Sequence, residues 1–367
     1  MNITICGGGN LAHALAAYLS IKKDVEISVL TRNPNKWEKQ LKCKLPDSSI
    51  FTSKPIFVTN NAESVIPNAD IIIIAAPNFA IEDILNTIKD YYNPNTWIGS
   101  ILCSGGFFWQ SYKILGKLNY TFGFQRVPFI CRTINYGSLV HISGLKNSME
   151  IFVSENDKTK SFKFLLESFF NTKINFLDNY LEATISNSNP ILHPSRLYYL
   201  FENYNHNIGL EKDSLFYEEW TNESSSLLIN CDKELHKIIS KIPIKIELKA
   251  ITEHYEVSNA EELTNKIQSI PAFKKLRSPL IHKNNKFFAD INNRYFQEDI
   301  PYGLLIIKSL GLLSETETPH IDKILNWAED FMDIKLIKEN KLLSSTLKYS
   351  LPQNFGAKKI NDIVNIF

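Results

Sequence analysis

A strand that runs straight into three glycines and out into a helix leaves few folds open. Ile3-Thr4-Ile5-Cys6 is apolar and β-prone, Gly7-Gly8-Gly9 follows, and Leu11, Leu15, Tyr18 and Leu19 then recur at helical spacing. Gly7, Gly9 and Ala12 fit the pattern G-x-G-x-x-G/A. In that pattern the first glycine permits a sharp turn and the second lets backbone approach a pyrophosphate. The third, here alanine, lets helix and strand pack closely. The helix that follows points its N–H groups and positive dipole end at the phosphates. The stretch predicts an N-terminal Rossmann-type, doubly wound α/β domain. Gly7, Gly9, Asn10, Leu11 and Ala12 are its expected dinucleotide contacts.

The next segments continue the same alternation. Val25 to Leu30 reads as a second strand. An NAD site usually places an acidic residue at the end of this strand, for the ribose 2′-hydroxyl. Here the chain gives Thr31-Arg32-Asn33. A cation there neutralises a 2′-phosphate that an acid would repel, so NADP(H) is the preferred cofactor and NAD(H) the alternative. Ile56 to Thr59, Asp70 to Ala76 and Trp97 to Cys103 read as further strands, with a helix face at Ile81, Ile84, Leu85 and Ile88. The run after Asp70 is continuously apolar, as suits a strand buried on both faces. Pro77, Gly105 and Gly106 lie where these strands end, and strand ends of this kind line the cofactor crevice. For the glycine pair a plain turn is an equally open reading. Thr121 to Arg126, Asn135 to Ile142, Ser148 to Val153 and Asn175 to Leu177 complete the strand pattern, with a helix over Phe162 to Phe170. Beyond about residue 180 long helical periodicities take over, as in Leu227 to Ile242, stopped by Pro243, and Ile321 to Phe331. The expected division is therefore 1–178, dinucleotide-binding, and 179–367, an all-helical substrate domain.

Composition narrows the partners. A chain of 367 residues exceeds one ordinary core, which agrees with two domains. Forty basic against 39 acidic residues give no field for nucleic acid. The run Ile71-Ile72-Ile73-Ile74-Ala75-Ala76 is too short to cross a membrane, and no charged-then-apolar leader precedes the first strand. The five cysteines are scattered and lack C-x-x-C spacing, which argues against a metal site or a disulfide framework. These features point to a cytoplasmic protein with small-molecule substrates, and they admit a homodimer.

Two stretches in the second half carry chemistry-bearing residues. In Asn187-Ser188-Asn189-Pro190-Ile191-Leu192-His193-Pro194-Ser195-Arg196, Pro194 suits the first turn of a helix. That puts His193 at the helix entrance, either facing a cleft or capping its own helix. In Arg294-Tyr295-Phe296-Gln297-Glu298-Asp299-Ile300-Pro301-Tyr302-Gly303-Leu304, an acidic pair precedes an apolar helix over Leu304 to Leu310. A pair favoured only by the helix dipole is the ordinary reading of such residues.

Taken together, the motifs resemble those of the opine dehydrogenases, the octopine and nopaline dehydrogenase group. The resemblance rests on G-x-G-N-x-A-H-A at Gly7 to Ala14, G-G-F at Gly105 to Phe107, N-P-x-x-H-P at Asn189 to Pro194 and E-D-x-P-Y-G-L at Glu298 to Leu304. Val127-Pro128-Phe129-Ile130-Cys131-Arg132 is similar to a further proline-aromatic-Cys-Arg segment of that family. The resemblance implies NAD(P)H-dependent reductive condensation of a 2-oxo acid with the amino group of an amino acid. It also implies that His193 and Asp299 act as a proton-transfer pair, with Glu298 the alternative partner. A product with at least two carboxylates calls for cations, so Arg132, Arg196 and Arg294 are candidate substrate contacts, with Gln125 and Asn189 as neutral ones. Two other readings share the fold: a two-domain dehydrogenase of 2-oxo acids, 2-hydroxy acids or polyol phosphates, and a non-catalytic dinucleotide sensor.

Overall fold

The computed structural model describes residues 1–364. Its contacts divide the chain into two units, Met1–Ser186 and the residues from Asn187 onward.

The first unit is built on an eight-stranded sheet. Its strands are β1 (Asn2–Cys6), β2 (Glu26–Leu30), β5 (Phe57–Thr59), β6 (Ile71–Ile74), β7 (Trp97–Ser100), β8 (Thr121–Phe124), β11 (Ser148–Val153) and β12 (Lys173–Leu177). The order across the sheet is β12-β11-β8-β7-β6-β1-β2-β5. All neighbours are parallel except β8 and β11. The chain leaves β1 towards β2 and β5, then returns to β6 on β1's other side. That reversal opens a crevice beyond the C-terminal ends of β1 and β6, the place where doubly wound sheets take their ligands. Helices α2 (Ile81–Ile88), α3 (Phe107–Leu115), α4 (Thr159–Phe170) and α5 (Tyr180–Ile185) follow their strands. Because α5 packs on β11, β12 and β8, the first unit extends to Ser186.

A second sheet is not foreshadowed by the sequence pattern. It runs β4-β3-β10-β9, from β3 (Lys42–Lys44), β4 (Ile50–Thr52), β9 (Phe129–Asn135) and β10 (Leu139–Leu145). The single strand expected over Asn135 to Ile142 is instead a hairpin: Gly137, at φ +78°, turns the chain between β9 and β10. Helix α1 (Asn10–Ser20) packs against β1 and β2 of the large sheet and against β9, β10 and β3 of the small one. That explains why Ala12, Ala14, Leu15, Ala16, Ala17 and Leu19 are all buried, since a helix covered on both sides has no polar face.

The second unit is helical, with two short hairpins added. Its helices are α6 (Asn189–Phe201), α7 (Asn222–Ile239), α8 (Ile251–Tyr255), α9 (Ala260–Ser269), α10 (Arg294–Gln297), α11 (Leu305–Leu313) and α12 (Pro319–Phe331). The hairpins are β13 (Leu280–Lys283) with β14 (Lys286–Ala289), and β15 (Ile337–Lys338) with β16 (Lys341–Leu342). Each turns through two residues of positive φ, Asn284-Asn285 and Glu339-Asn340, the geometry that matches strand twist in a two-residue turn. A π-helical turn, Ile300–Leu304, leads into α11, so that helix begins after the expected Leu304. Helix α6 also starts earlier than expected: Pro190, not Pro194, occupies its first turn, and Pro194 lies inside it. His193 therefore sits about one turn into α6 rather than at its entrance.

Candidate active site

In the first unit the glycine fingerprint forms a cradle. Gly7 takes φ +144°, and a Cβ on it would lie 2.3 Å from the Ala75 carbonyl oxygen, so no larger residue lets β1 and β6 end side by side. Nothing stands within 4 Å of the corresponding position on Gly9, which leads into α1. Helix α1 has no side-chain N-cap and no acid in its first turn. Its first N–H groups lack intrahelical partners and its positive end is uncompensated, so the open space at Gly9 fits a phosphate group.

The other expected cofactor residues lie in α1 or past the ends of β2, β6 and β7, in different roles. Ala12 is buried and lets α1 lie close to the sheet, Leu11 packs against the core, and the Asn10 carboxamide oxygen accepts the Thr133 N–H at 2.9 Å, tying α1 to β9. Thr31 is buried at the end of β2, with Arg32 and Asn33 exposed beyond it. Pro77 is exposed past β6, while Gly105 abuts the Asn78 side chain and is buried together with Gly106. Of the expected substrate contacts, Gln125 is half-buried after β8, and Arg132 is exposed on β9.

His13, the histidine of the opening motif, is fully buried, and both its ring nitrogens are engaged. Nδ1 donates to the Gly9 carbonyl at 2.9 Å, and Nε2 accepts the Gly137 N–H at 2.9 Å. Trp37 stacks on the ring at 3.8 Å and Tyr136 meets it edge-on. Desolvation lowers the pKa of His13 against the opposing pull of the Gly9 carbonyl. The ring thus clamps the glycine loop to the β9–β10 turn.

In the second unit the two motif stretches meet. A Cβ on Gly303 would come within 2.8 Å of the Pro190 ring, so glycine is what lets the π-turn cross α6 at that point. Asp299, just before the π-turn, then reaches His193: Nδ1 to Oδ2 is 2.7 Å, with the histidine side chain 2% and the aspartate 13% exposed. The sequence alternatives of a helix-capping His193 or a carboxylate pair serving only the dipole do not describe this geometry, and Asp299 rather than Glu298 makes the contact. With its Nδ1–H given to a carboxylate, the imidazole is held as the tautomer whose Nε2 is an acceptor, and its protonated form gains a counter-charge. Nε2 receives a hydrogen bond from the Tyr217 hydroxyl at 2.7 Å, and Tyr295 stacks on the ring at 4.0 Å.

The remaining candidates of this unit surround the pair. Asn189 opens α6, its N–H bonded to the Asn187 carboxamide oxygen. The Arg196 side chain is buried and donates from Nε to the Phe216 carbonyl at 3.2 Å. Burial pulls its pKa down to about 10 despite the Glu219 charge. Arg294 is exposed, its guanidinium over the Tyr295 ring at 5.4 Å. Desolvation opposes its charge, but Asp299, Tyr295 and Glu298 outweigh that and raise its pKa. Tyr217 lies outside both motif stretches, and Tyr295 lies inside the second but outside the residues that match its motif. Among the described residues no group of three or more His, Cys, Asp or Glu could hold a metal ion, and no helix is long and apolar enough to cross a membrane.

Known proteins share both halves of this arrangement. Residues 2–102 match the family described as "NADP oxidoreductase coenzyme F420-dependent". Residues 176–332 match "NAD/NADP octopine/nopaline dehydrogenase, alpha-helical domain". The chain is similar to the opine dehydrogenases over nearly its whole length. Among curated relatives, the tauropine dehydrogenase of Arabella iricolor is 27% identical over 399 residues, covering 99% of each chain. An opine dehydrogenase of Haliotis discus hannai is 25% identical, covering 100% of this chain and 99% of its own. An octopine dehydrogenase solved with NADH and L-arginine superposes with a TM-score of 0.89 at 22% identity, over 99% of this chain and 98% of its own. The chain is a nucleotide-dependent oxidoreductase.

Proposed function

We propose that the enzyme joins a 2-oxo acid to the amino group of an amino acid and reduces the resulting imine, with His193 as acid–base catalyst and Asp299 as its charge partner. The observation that carries this reading is the convergence of two distant motif segments, which places His193 Nδ1 2.7 Å from Asp299 Oδ2. When bound, the nicotinamide nucleotide supplies the hydride for the imine carbon. The chain supplies the rest. His193 takes a proton from the incoming ammonium and returns one to the departing hydroxyl of the carbinolamine, while the Asp299 carboxylate offsets the charge of the imidazolium. Arg294, exposed beside this pair, offers its planar fork to a substrate carboxylate, and Arg196 holds the loop that carries Tyr217.

The cofactor we assign is NADPH. Arg32 is exposed just beyond β2, and Thr31-Arg32-Asn33 places no acid there to repel a 2′-phosphate. Among the described residues all five cysteines are free, which supports action in a reducing compartment such as the cytoplasm.

The test is substrate dependence. NADPH or NADH consumption is followed with pyruvate or 2-oxoglutarate, alone and with each amino acid in turn, with mass detection of the product. Oxidation that requires both partners and yields the N-linked secondary amine supports the reading. Equal oxidation with the oxo acid alone, giving a 2-hydroxy acid, overturns it.

A further inference from the structure

We propose that Tyr217 is a catalytic residue of this reaction: its hydroxyl is the group that exchanges protons with the substrates, passing them to and from His193 Nε2. The proposal rests on the acid–base role assigned above to His193.

The geometry leaves His193 one working nitrogen, and Tyr217 already occupies it. Nδ1 is committed to Asp299. Nε2 in that tautomer carries a single lone pair, and the Tyr217 hydroxyl lies 2.7 Å from it. His193 is 1% exposed and Tyr217 4%. A substrate atom can bond Nε2 directly only by displacing the hydroxyl.

Displacement would disturb a tightly held residue. The Tyr217 ring stacks on Phe273 at 4.1 Å and 15°, lies parallel to Trp220, and meets Phe216 edge-on. The backbone just before it is fixed from two sides. The Phe216 carbonyl accepts from Arg196 Nε at 3.2 Å, and the Phe216 N–H donates to the Leu276 carbonyl at 2.8 Å.

A relay needs no such movement. A phenolic hydroxyl donates and accepts at once, so it can give its proton to a substrate atom while taking another from Nε2, or run the reverse. Tyr295, stacked on His193, also interacts with this hydroxyl. Burial, reinforced by Tyr295, pushes the phenol pKa well up, so at neutral pH the group is a neutral conduit rather than a phenolate base.

The protons balance. The amine substrate enters as an ammonium. One of its protons goes to Tyr217 as the Tyr217 proton moves to Nε2, leaving a free amine and an imidazolium paired with Asp299. The amine attacks the oxo carbon, forming the C–N bond, and its nitrogen proton moves to the former carbonyl oxygen to give the carbinolamine. The imidazolium proton then returns through Tyr217 to that hydroxyl, the C–O bond breaks, and water leaves. The product is the protonated imine, and the histidine is neutral again.

Tyr217→Phe tests this, because it keeps the stacked ring and removes only the hydroxyl. We expect kcat to fall by about 10²-fold, with cofactor Kd, read from quenching of NADPH fluorescence, unchanged. We also expect rates in H2O–D2O mixtures to curve for the wild type, from two protons in flight, and to become linear in the variant. Wild-type-like kcat in Tyr217→Phe, or a linear proton inventory in the unmodified enzyme, overturns the relay. His193→Gln measured alongside separates the two claims. If it retains turnover, the acid–base reading itself fails. If it is inactive while Tyr217→Phe works normally, only the relay fails.

Discussion

Two histidines, one in each unit, differ in almost nothing except what they touch. His13 and His193 are 0% and 1% exposed, both use both ring nitrogens, and both carry a stacked aromatic, Trp37 or Tyr295. His13 bonds two backbone groups, the Gly9 carbonyl and the Gly137 N–H. Neither can take up or release a proton near neutral pH, and an imidazolium would lose the Gly137 bond outright, because Nε2 would then carry a proton of its own. His193 bonds a carboxylate and a hydroxyl. The carboxylate stabilises the imidazolium, and the hydroxyl can carry its proton away. Burial and saturation of a histidine therefore say nothing about its role; the chemistry of its partners does.

The largest effect should come from removing the working ring. His193→Ala lowers kcat by about 10²- to 10⁴-fold in initial-rate assays with both substrates. Next is the charge partner. Asp299→Asn keeps the shape but leaves the imidazolium without a counter-charge, and turnover falls by about 10²-fold. Glu298→Gln, next to it in sequence, stays near wild type. Both are checked by the same assay.

His13→Gln should act on stability, at about 1–3 kcal/mol from its lost hydrogen bonds, read by chemical denaturation. Its pH dependence has a definite sign. The unfolded histidine takes a proton near its ordinary value of about 6.5, while the folded one, lowered by desolvation, takes it only at lower pH. Stability therefore declines as pH falls from the unfolded towards the folded value, and His13→Gln removes that part of the decline. The smallest effect is expected at the nucleotide's edge. Arg32→Ala raises KM for NADPH about tenfold, the worth of one charge-assisted hydrogen bond, and leaves KM for NADH unchanged. An equal rise for both would remove the phosphate-binding role.

Much of this arrangement is legible in the chain itself, for physical reasons. A continuous run such as Ile71 to Ile74 marks a central parallel strand, and Gly7 marks the turn that only glycine makes. The small sheet stayed hidden because β3 and β4 are three residues each, too short for an alternation to register, and because Gly137 splits one apparent strand into two. Pro194 misplaced the start of α6, since Pro190 suits a first turn equally well. Tyr217 left no local trace: its place is set by Phe273 and His193, residues distant in sequence, together with Trp220 three positions on. Its neighbour Arg196, read from the sequence as a substrate contact, is buried holding the Phe216 carbonyl.

The central claim is that proton transfer belongs to His193 and the shape of the cofactor loop to His13. It is tested most directly by measuring kcat and NADPH Kd for His193→Gln and His13→Gln side by side. The account predicts opposite partitions: His193→Gln loses kcat with Kd intact, and His13→Gln weakens Kd while kcat at saturating cofactor is largely retained. The same partition in both variants, or an intact kcat in His193→Gln, would contradict it.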